Sequence, residues 1–314
     1  MVRMSEFQFL AEQAAALGID AAPLVERLTH TLPDGRTVSA LRFGDAPPVA
    51  TFLHGAGLNA HTWDVTILAT GLPALAIDLP GHGDSSWRDD AVYTGRALAP
   101  DVAAAITAWT DRPQVVVGQS LGGLTGAALA ASRPDLVREL IVVDITPGID
   151  PNGGAAELRK FFAGPTDWAS REELVERALA FGLGGTREAA TKGVFLNSRV
   201  RPDGRVEWKH HFARLANALA SDADAAAEHD RQQDGVARVL AASGWDDLAG
   251  VIAPLTLVRG TRGYLTDADR DTFAERVPQA TIVELDAPHN VQEQRPTELA
   301  ALVVDAAARS TGNS

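Results

Sequence analysis

The sequence predicts an α/β protein with a mostly parallel central sheet, helices on both faces and an inserted helical lid. Short apolar segments alternate with helical segments in the first half of the chain, and the same alternation returns near its end. Between them lies a polar, helical stretch with periodic apolar residues, which is typical of an inserted subdomain rather than a linker. We therefore predict a core of residues 1–146 and 248–314, with a lid of residues 147–247.

Hydrophobic patterning and turn signals place the individual elements. The first two strands, 26–32 and 37–43, are joined by a turn at Pro33-Asp34-Gly35-Arg36. The remaining predicted strands are short, apolar and rich in β-branched residues: 49–53, 74–77, 114–117, 139–143, 255–258 and 281–285. The predicted helices of the core are 5–18, 61–69, 100–109, 121–132, 268–276 and 296–308. The inner face of the lid is predicted from its apolar residues Phe161, Phe162, Trp168, Leu174, Leu179 and Phe181.

Composition excludes several classes of protein. The chain has 314 residues and no cysteine, so disulfides and thiolate metal sites are excluded. Its net charge of −13 argues against a nucleic-acid partner, because phosphate backbones require a basic face. Residues 1–13 offer no apolar signal-peptide core, and no apolar run reaches the length of a bilayer. We expect a cytoplasmic protein without a membrane, metal or cofactor partner.

The segment Gly118-Gln119-Ser120-Leu121-Gly122 has the G-x-S-x-G pattern of a nucleophile elbow. It follows the apolar run 115–117 and leads directly into a helix-forming segment of small residues. In such a tight strand–turn–helix the serine is strained, and the glycines provide space where a Cβ would clash. The pattern predicts Ser120 as a catalytic nucleophile.

Attack by serine on an acyl group also requires donors for the oxyanion. The amide of Leu121, at the start of the helix, is one predicted donor. The second should lie in the loop after the first buried strand, where His54-Gly55-Ala56-Gly57 stands, and the amide of Ala56 is our choice. His54 is interpreted as a structural residue that ties this loop.

A general base is expected after the last strand. The segment Asp286-Ala287-Pro288-His289-Asn290 follows the strand 281–285 and precedes the final helix. This position places His289 at the carboxyl edge of the sheet, where catalytic groups gather in open α/β sheets. We predict that His289 takes the proton of the nucleophile.

Together these motifs resemble the α/β-hydrolase family, and the resemblance covers nearly the whole chain. It rests on the 54–57 loop, the segment DLPGHGDS at 78–85, the 118–122 elbow and the loop of His289. Within the family the chain looks most like small bacterial, particularly actinobacterial, serine carboxylesterases. The resemblance implies the α/β-hydrolase fold and hydrolysis of small-molecule esters, with no cofactor.

One departure from the family concerns the acid that orients the base. The resemblance places this acid after the strand 255–258, at the position of Gly263, which has no side chain. We favour Asp144, at the end of the strand 139–143, because some relatives take their acid from that strand. The alternative acids follow Gly263, where they more naturally open the next helix: Asp267, Asp269 and Asp271.

The predicted function is that of a serine carboxylesterase acting on small to medium acyl esters. The same machinery also serves lactonases, thioesterases and carbon–carbon bond hydrolases. A ligand-binding member of the family without catalysis is the alternative from another class, because the acid is missing at Gly263. A cluster of basic residues at 187–214 indicates either a solvated helical face or recognition of an anionic substrate. The sequence does not indicate an oligomeric state.

Overall fold

The central feature of the fold is a mixed eight-stranded sheet, seen in a computed structural model that describes residues 5–149, 165–181, 184–212, 214 and 243–309. The strands of the described residues are β1 (Val25–Thr31), β2 (Thr37–Phe43), β3 (Ala50–Leu53), β4 (Ala74–Asp78), β5 (Gln114–Gln119), β6 (Val137–Val143), β7 (Asp167–Trp168), β8 (Ser198–Val200), β9 (Val206–Trp208), β10 (Leu255–Arg262) and β11 (Thr281–Pro288). The sheet order is β1-β2-β4-β3-β5-β6-β10-β11, with antiparallel pairing only at β1–β2 and β2–β4. The predicted fold class is confirmed.

The helices cover both faces of this sheet, as a mostly parallel sheet requires. The α-helices with defined bounds at both ends are α1 (Leu10–Ala16), α2 (Asp64–Thr70), α3 (Gly95–Trp109), α4 (Leu121–Ser132), α5 (Arg171–Ala180), α6 (Arg187–Asn197), α7 (Asp267–Arg276), α8 (Val291–Gln294) and α9 (Pro296–Arg309). One core layer lies under α3, α4 and α7, and the other lies under α1, α2 and α9. β5 contributes to both layers, because Val116 points into the first and Val115 and Val117 into the second.

Helix α3 begins five residues before the predicted start at Pro100. The side chain of Thr94 accepts a hydrogen bond from the Ala97 amide at 3.3 Å and so caps the helix. Pro100 lies inside the helix instead of opening it. Gly95 permits this course, because a Cβ there would lie 2.6 Å from the Leu124 carbonyl oxygen of α4.

The segment predicted as a helical lid is not wholly helical. Strands β7, β8 and β9 form a separate antiparallel sheet in the order β7-β9-β8. Together with α5 and α6 this sheet encloses a small hydrophobic core, in which Trp168 and Trp208 meet edge to face with ring centroids 5.9 Å apart. Aromatic and β-branched side chains favour such short strands, and their burial outweighs the helical pattern that we expected.

The predicted inner face and boundary of this segment also need correction. Trp168 and Leu174 are buried and Leu179 is partly buried, but Phe181 is 40% exposed; Phe161 and Phe162 lie outside the described residues. The predicted boundary at residue 247 falls within a helix of residues 243–249, whose Leu248 packs into the main core. Among the helices of the described residues, none combines the length and apolar character that a bilayer crossing requires.

Candidate active site

Ser120 lies between the last residue of β5 and the first residue of α4. Its φ of 52° is in the left-handed region, which costs a non-glycine residue of this kind about 1–3 kcal/mol. A Cβ at Gly118 would overlap the carbonyl of Gly122, and one at Gly122 would overlap the carbonyl of Leu53. The two glycines of the motif therefore let α4 approach the sheet directly behind the serine.

Asp144 follows the last residue of β6 and is fully buried. Its φ of 48° is also left-handed, and its amide donates to the Val258 carbonyl at 2.8 Å. The carboxylate accepts two backbone hydrogen bonds, from the Gly260 amide to Oδ1 at 3.0 Å and from the Tyr264 amide to Oδ2 at 2.9 Å. The side chain is thus held firmly in one orientation.

The structure brings His289 and Asp144 together. His289 stands at the end of β11, 14% of its side chain is exposed, and its Nδ1 lies 2.8 Å from Oδ2 of Asp144. The other candidate acids lie in the first turns of α7. Asp269 forms a capping box with Thr266, and Asp267 forms an ion pair with Arg259 at 2.7 Å.

Gly263 explains how the carboxylate reaches the histidine. An ideal Cβ at this position would overlap the carboxyl group of Asp144. The space that a side chain at residue 263 would enter is therefore filled by the acid from β6. The carboxylate of Asp144 can therefore occupy its place beside His289 only because residue 263 is a glycine.

His289 also lies close to the elbow. Nε2 of Gln119, the residue before Ser120, is 3.4 Å from the carbonyl oxygen of His289. Strands β5, β6, β10 and β11 are consecutive neighbours in the sheet, so their carboxyl ends meet at one edge. Ser120, Asp144 and His289 therefore come from three strand ends at the same edge.

The two predicted oxyanion donors belong to chain segments next to the serine. Leu121 is the first residue of α4, and the loop of Ala56 is close, because a Cβ at Gly55 would lie 3.2 Å from Cβ of Ser120. Among the described residues, neither the Ala56 nor the Leu121 amide donates a backbone hydrogen bond. The amides of Ala56 and Leu121 stay the predicted donors for the oxyanion. Gly57, next in the loop, has a left-handed φ of 76°.

His54 links this loop to the chain after β4. Its Nε2 accepts from the Leu79 amide at 3.0 Å, so Nδ1 carries the proton and donates to the Gly55 carbonyl at 2.8 Å. Burial lowers the pKa of His54, although Asp78 opposes the shift. The ring is therefore a neutral bridge within the fold.

Two residues near the site were missed by sequence reasoning. The Tyr264 ring stacks on the His289 ring. Asn197, at the end of α6, donates to the Gly57 carbonyl at 2.5 Å and contacts the side chain of Asn59. Asn197 is 140 residues from Gly57, and no local pattern links the two. For Tyr264 the sequence offered one clue: it directly follows Gly263, the position at which the resemblance places the acid.

The basic cluster of the inserted segment does not form an anion receptor in the described residues. Six of its seven cations pair with carboxylates: Arg187 with Glu172 and Glu176, Arg199 and Arg214 with Glu207, Arg201 and Arg205 with Asp167, and Lys209 with Asp84. The seventh, Lys192, lies 5.6 Å from the ring centroid of Phe9. Of the two interpretations, the solvated, ion-paired face fits the structure.

The chain is similar to known hydrolases along nearly its whole length. The sequence profile of the Alpha/beta hydrolase family matches residues 52–302. Esterase Rv0045c of Mycobacterium tuberculosis is 35% identical over 309 residues, which are 96% of this chain and 95% of that esterase. A pimeloyl-[acyl-carrier protein] methyl ester esterase of Aeromonas hydrophila is 33% identical over 164 residues, 49% of this chain and 60% of that enzyme.

A solved structure of the M. tuberculosis esterase Rv0045c has the same architecture. It superposes with a TM-score of 0.77 at 35% sequence identity, and the match covers 96% of this chain and 97% of the esterase. The profile match and this full-length similarity agree with the order of the sheet and with the elbow after β5. The chain belongs to the alpha/beta hydrolase family.

Proposed function

We propose that the protein is a serine carboxylesterase that hydrolyses small to medium acyl esters through an acyl-enzyme. The observation that carries the proposal is the 2.8 Å contact between Asp144 and His289 at the sheet edge that also holds Ser120. The similarity to the M. tuberculosis esterase supports an ester as the substrate.

In the proposed first step, the hydroxyl oxygen of Ser120 attacks the ester carbonyl while Nε2 of His289 takes the hydroxyl proton. Asp144 accepts the Nδ1–H of His289, which leaves Nε2 as the unprotonated nitrogen. The two backbone amides on Asp144 keep its carboxylate in place as the imidazole becomes positively charged. The carbonyl carbon becomes tetrahedral, and the carbonyl oxygen takes the negative charge of an oxyanion.

The oxyanion is proposed to rest on the amides of Ala56 and Leu121. A donor of this kind lowers the barrier by about 3–4 kcal/mol in serine hydrolases, because it stabilises charge that develops only in the transition state. The tetrahedral intermediate collapses, the alcohol leaves with the proton from His289, and the acyl group stays on Ser120. Water then repeats the sequence, releasing the carboxylic acid and the free serine.

The other substrate classes share this chemistry and differ in the bond that is broken. A lactone gives a single hydroxy-acid product, a thioester gives a thiol, and a carbon–carbon hydrolase needs a vinylogous diketone. The non-catalytic alternative depended on a missing acid, and the position of Asp144 beside His289 weakens it.

Active-site labelling combined with a substrate panel tests the proposal. A fluorophosphonate should add one label per chain at Ser120 and abolish turnover, whereas the Ser120→Ala variant should remain unlabelled and inactive. Ser132→Ala, at the other end of α4, is the control and should label normally. The panel contains p-nitrophenyl esters of two to sixteen carbons, a lactone, a thioester and a vinylogous diketone. A label on another residue, or turnover only of a non-ester, would contradict the proposal.

A further inference from the structure

The Tyr264 ring lies face to face with the ring of His289. The ring centroids are 3.7 Å apart and the planes differ by 9°. Neutral aromatic pairs prefer offset or edge-to-face arrangements with centroids about 4.5–7 Å apart, because their π faces repel. A closely stacked parallel pair becomes favourable when one of the rings carries a positive charge.

The same residue also holds the acid. The Tyr264 amide donates to Oδ2 of Asp144 at 2.9 Å, and this oxygen is the one that contacts Nδ1 of His289. The Tyr264 hydroxyl, by contrast, makes no hydrogen bond with the described residues. The contacts of Tyr264 with the site thus involve its backbone and the face of its ring.

We propose that Tyr264 is a positioning residue whose ring stabilises the imidazolium form of His289. This inference rests on the proposed function, in which His289 becomes positively charged only after it removes the proton of Ser120. The stacking contact is then stronger in the transition state than in the resting enzyme. An interaction with this difference raises kcat and leaves substrate binding unchanged.

Acidic and aromatic groups lie next to the His289 ring in the part of the chain that the structure describes. Asp144 contacts Nδ1, Tyr264 covers one face, and Glu293 of α8 interacts with the ring electrostatically. Both of these acidic residues remain in every variant described below. Burial, followed by the Asp144 carboxylate, raises the pKa of the Tyr264 hydroxyl, so this phenol stays neutral across the pH range of the test.

The test compares Tyr264→Leu with Tyr264→Phe. Leucine fills similar space without a π face, whereas phenylalanine keeps the face and removes only the hydroxyl. The first readout is the NMR titration of the His289 imidazole in a Ser120→Ala background, which does not require turnover. We expect Tyr264→Leu to move the midpoint about half a pH unit lower, and Tyr264→Phe to leave it unchanged.

The second readout is steady-state hydrolysis of an ester by the same variants with Ser120 intact. Tyr264→Leu should lower kcat about three-fold with KM unchanged, and Tyr264→Phe should match the parent. If the leucine variant does not fold, Tyr264→Trp replaces it and should hold or raise the midpoint.

The proposal is overturned if the titration midpoint is the same with leucine and phenylalanine, or if phenylalanine is as damaging as leucine. Failure of the proposed function would appear differently. In that case Ser120→Ala would keep its turnover, while the shift of the His289 titration would still be measurable.

Discussion

Replacing Asp144 by asparagine tests the acid of the site, because the structure assigns a partner to each carboxylate oxygen. Oδ1 accepts from Gly260, and Oδ2 accepts from Tyr264 and contacts His289. Asparagine has one oxygen and one NH₂ group in the same space. One of these partners must therefore face a donor instead of an acceptor.

Two orientations of the asparagine are open, and each has a cost. With the NH₂ at Oδ1, two donors oppose each other at Gly260, and the imidazolium loses its counter-charge. With the NH₂ at Oδ2, the Tyr264 amide loses its acceptor and His289 must move its proton to Nε2, where it blocks removal of the Ser120 proton. We expect kcat to fall by about 10³–10⁴.

The variant should also be less stable than an isosteric change suggests. A buried donor without an acceptor costs about 1–3 kcal/mol, and Asp144 is fully buried. For a chain of this size the cost corresponds to a fall in Tm of about 2–6 °C. The loss arises from the two backbone amides that donate to the carboxylate, those of Gly260 and Tyr264.

The assay is burst and steady-state hydrolysis of a p-nitrophenyl ester, with thermal unfolding of the same samples. Asp267→Asn is the matched control, because this side chain is 75% exposed in the first turn of α7. It should keep kcat and lose at most about 1 kcal/mol of stability. A loss of less than ten-fold in Asp144→Asn, or an equal loss in Asp267→Asn, would refute the reasoning.

Two further predictions concern packing and pH. Gly263→Ala should displace the Asp144 carboxylate and lower kcat at least about 10²-fold in ester hydrolysis, because the new Cβ overlaps it. Gly193→Ala is the control, because a Cβ there meets open space on α6, and thermal unfolding should show a gain in stability of about 0.5–1 kcal/mol. An unchanged kcat in Gly263→Ala would contradict the packing argument. Burial alone would lower the pKa of His61, but the carboxylates of Asp64 and Glu6 outweigh burial and raise the pKa to about 9. The ion pairs of His61 with these two carboxylates therefore stabilise the fold fully below pH ~6.5, and this stabilisation is lost as the pH rises through about 9. In urea unfolding, the His61→Gln variant should therefore lose at most about 3 kcal/mol more unfolding free energy at pH 6 than at pH 10. A loss that does not depend on pH would contradict a stabilising role of the His61 ion pairs.

The elements that the sequence predicted well depend on local physics. The elbow at Ser120 needs small residues within two positions on either side, so its signature lies within five residues. The central strands β3, β4 and β5 are wholly buried and largely apolar, because both faces of a parallel sheet are covered. Such patterns do not depend on which strands become neighbours.

The small sheet of the inserted segment carried a signal that we overlooked. The tetrapeptide Pro202-Asp203-Gly204-Arg205 repeats Pro33-Asp34-Gly35-Arg36, which correctly predicted the first hairpin. The turns also share their backbone hydrogen bonds: the residue before each tetrapeptide donates to its arginine carbonyl and accepts from its glycine amide. The helical periodicity on either side of this turn led us to predict helix where the structure has strands β8 and β9.

The sequence by itself determined the fold class, the elbow of Ser120 and the loop of His289, because each depends on neighbouring residues. Only the tertiary structure decided which carboxylate meets that histidine. Asp144 is 145 residues from His289, and the loop after β10 offers other acids nearby. The order of the strands and the space left by Gly263 bring Asp144 to the ring, and packing of this kind cannot be read from spacing along the chain.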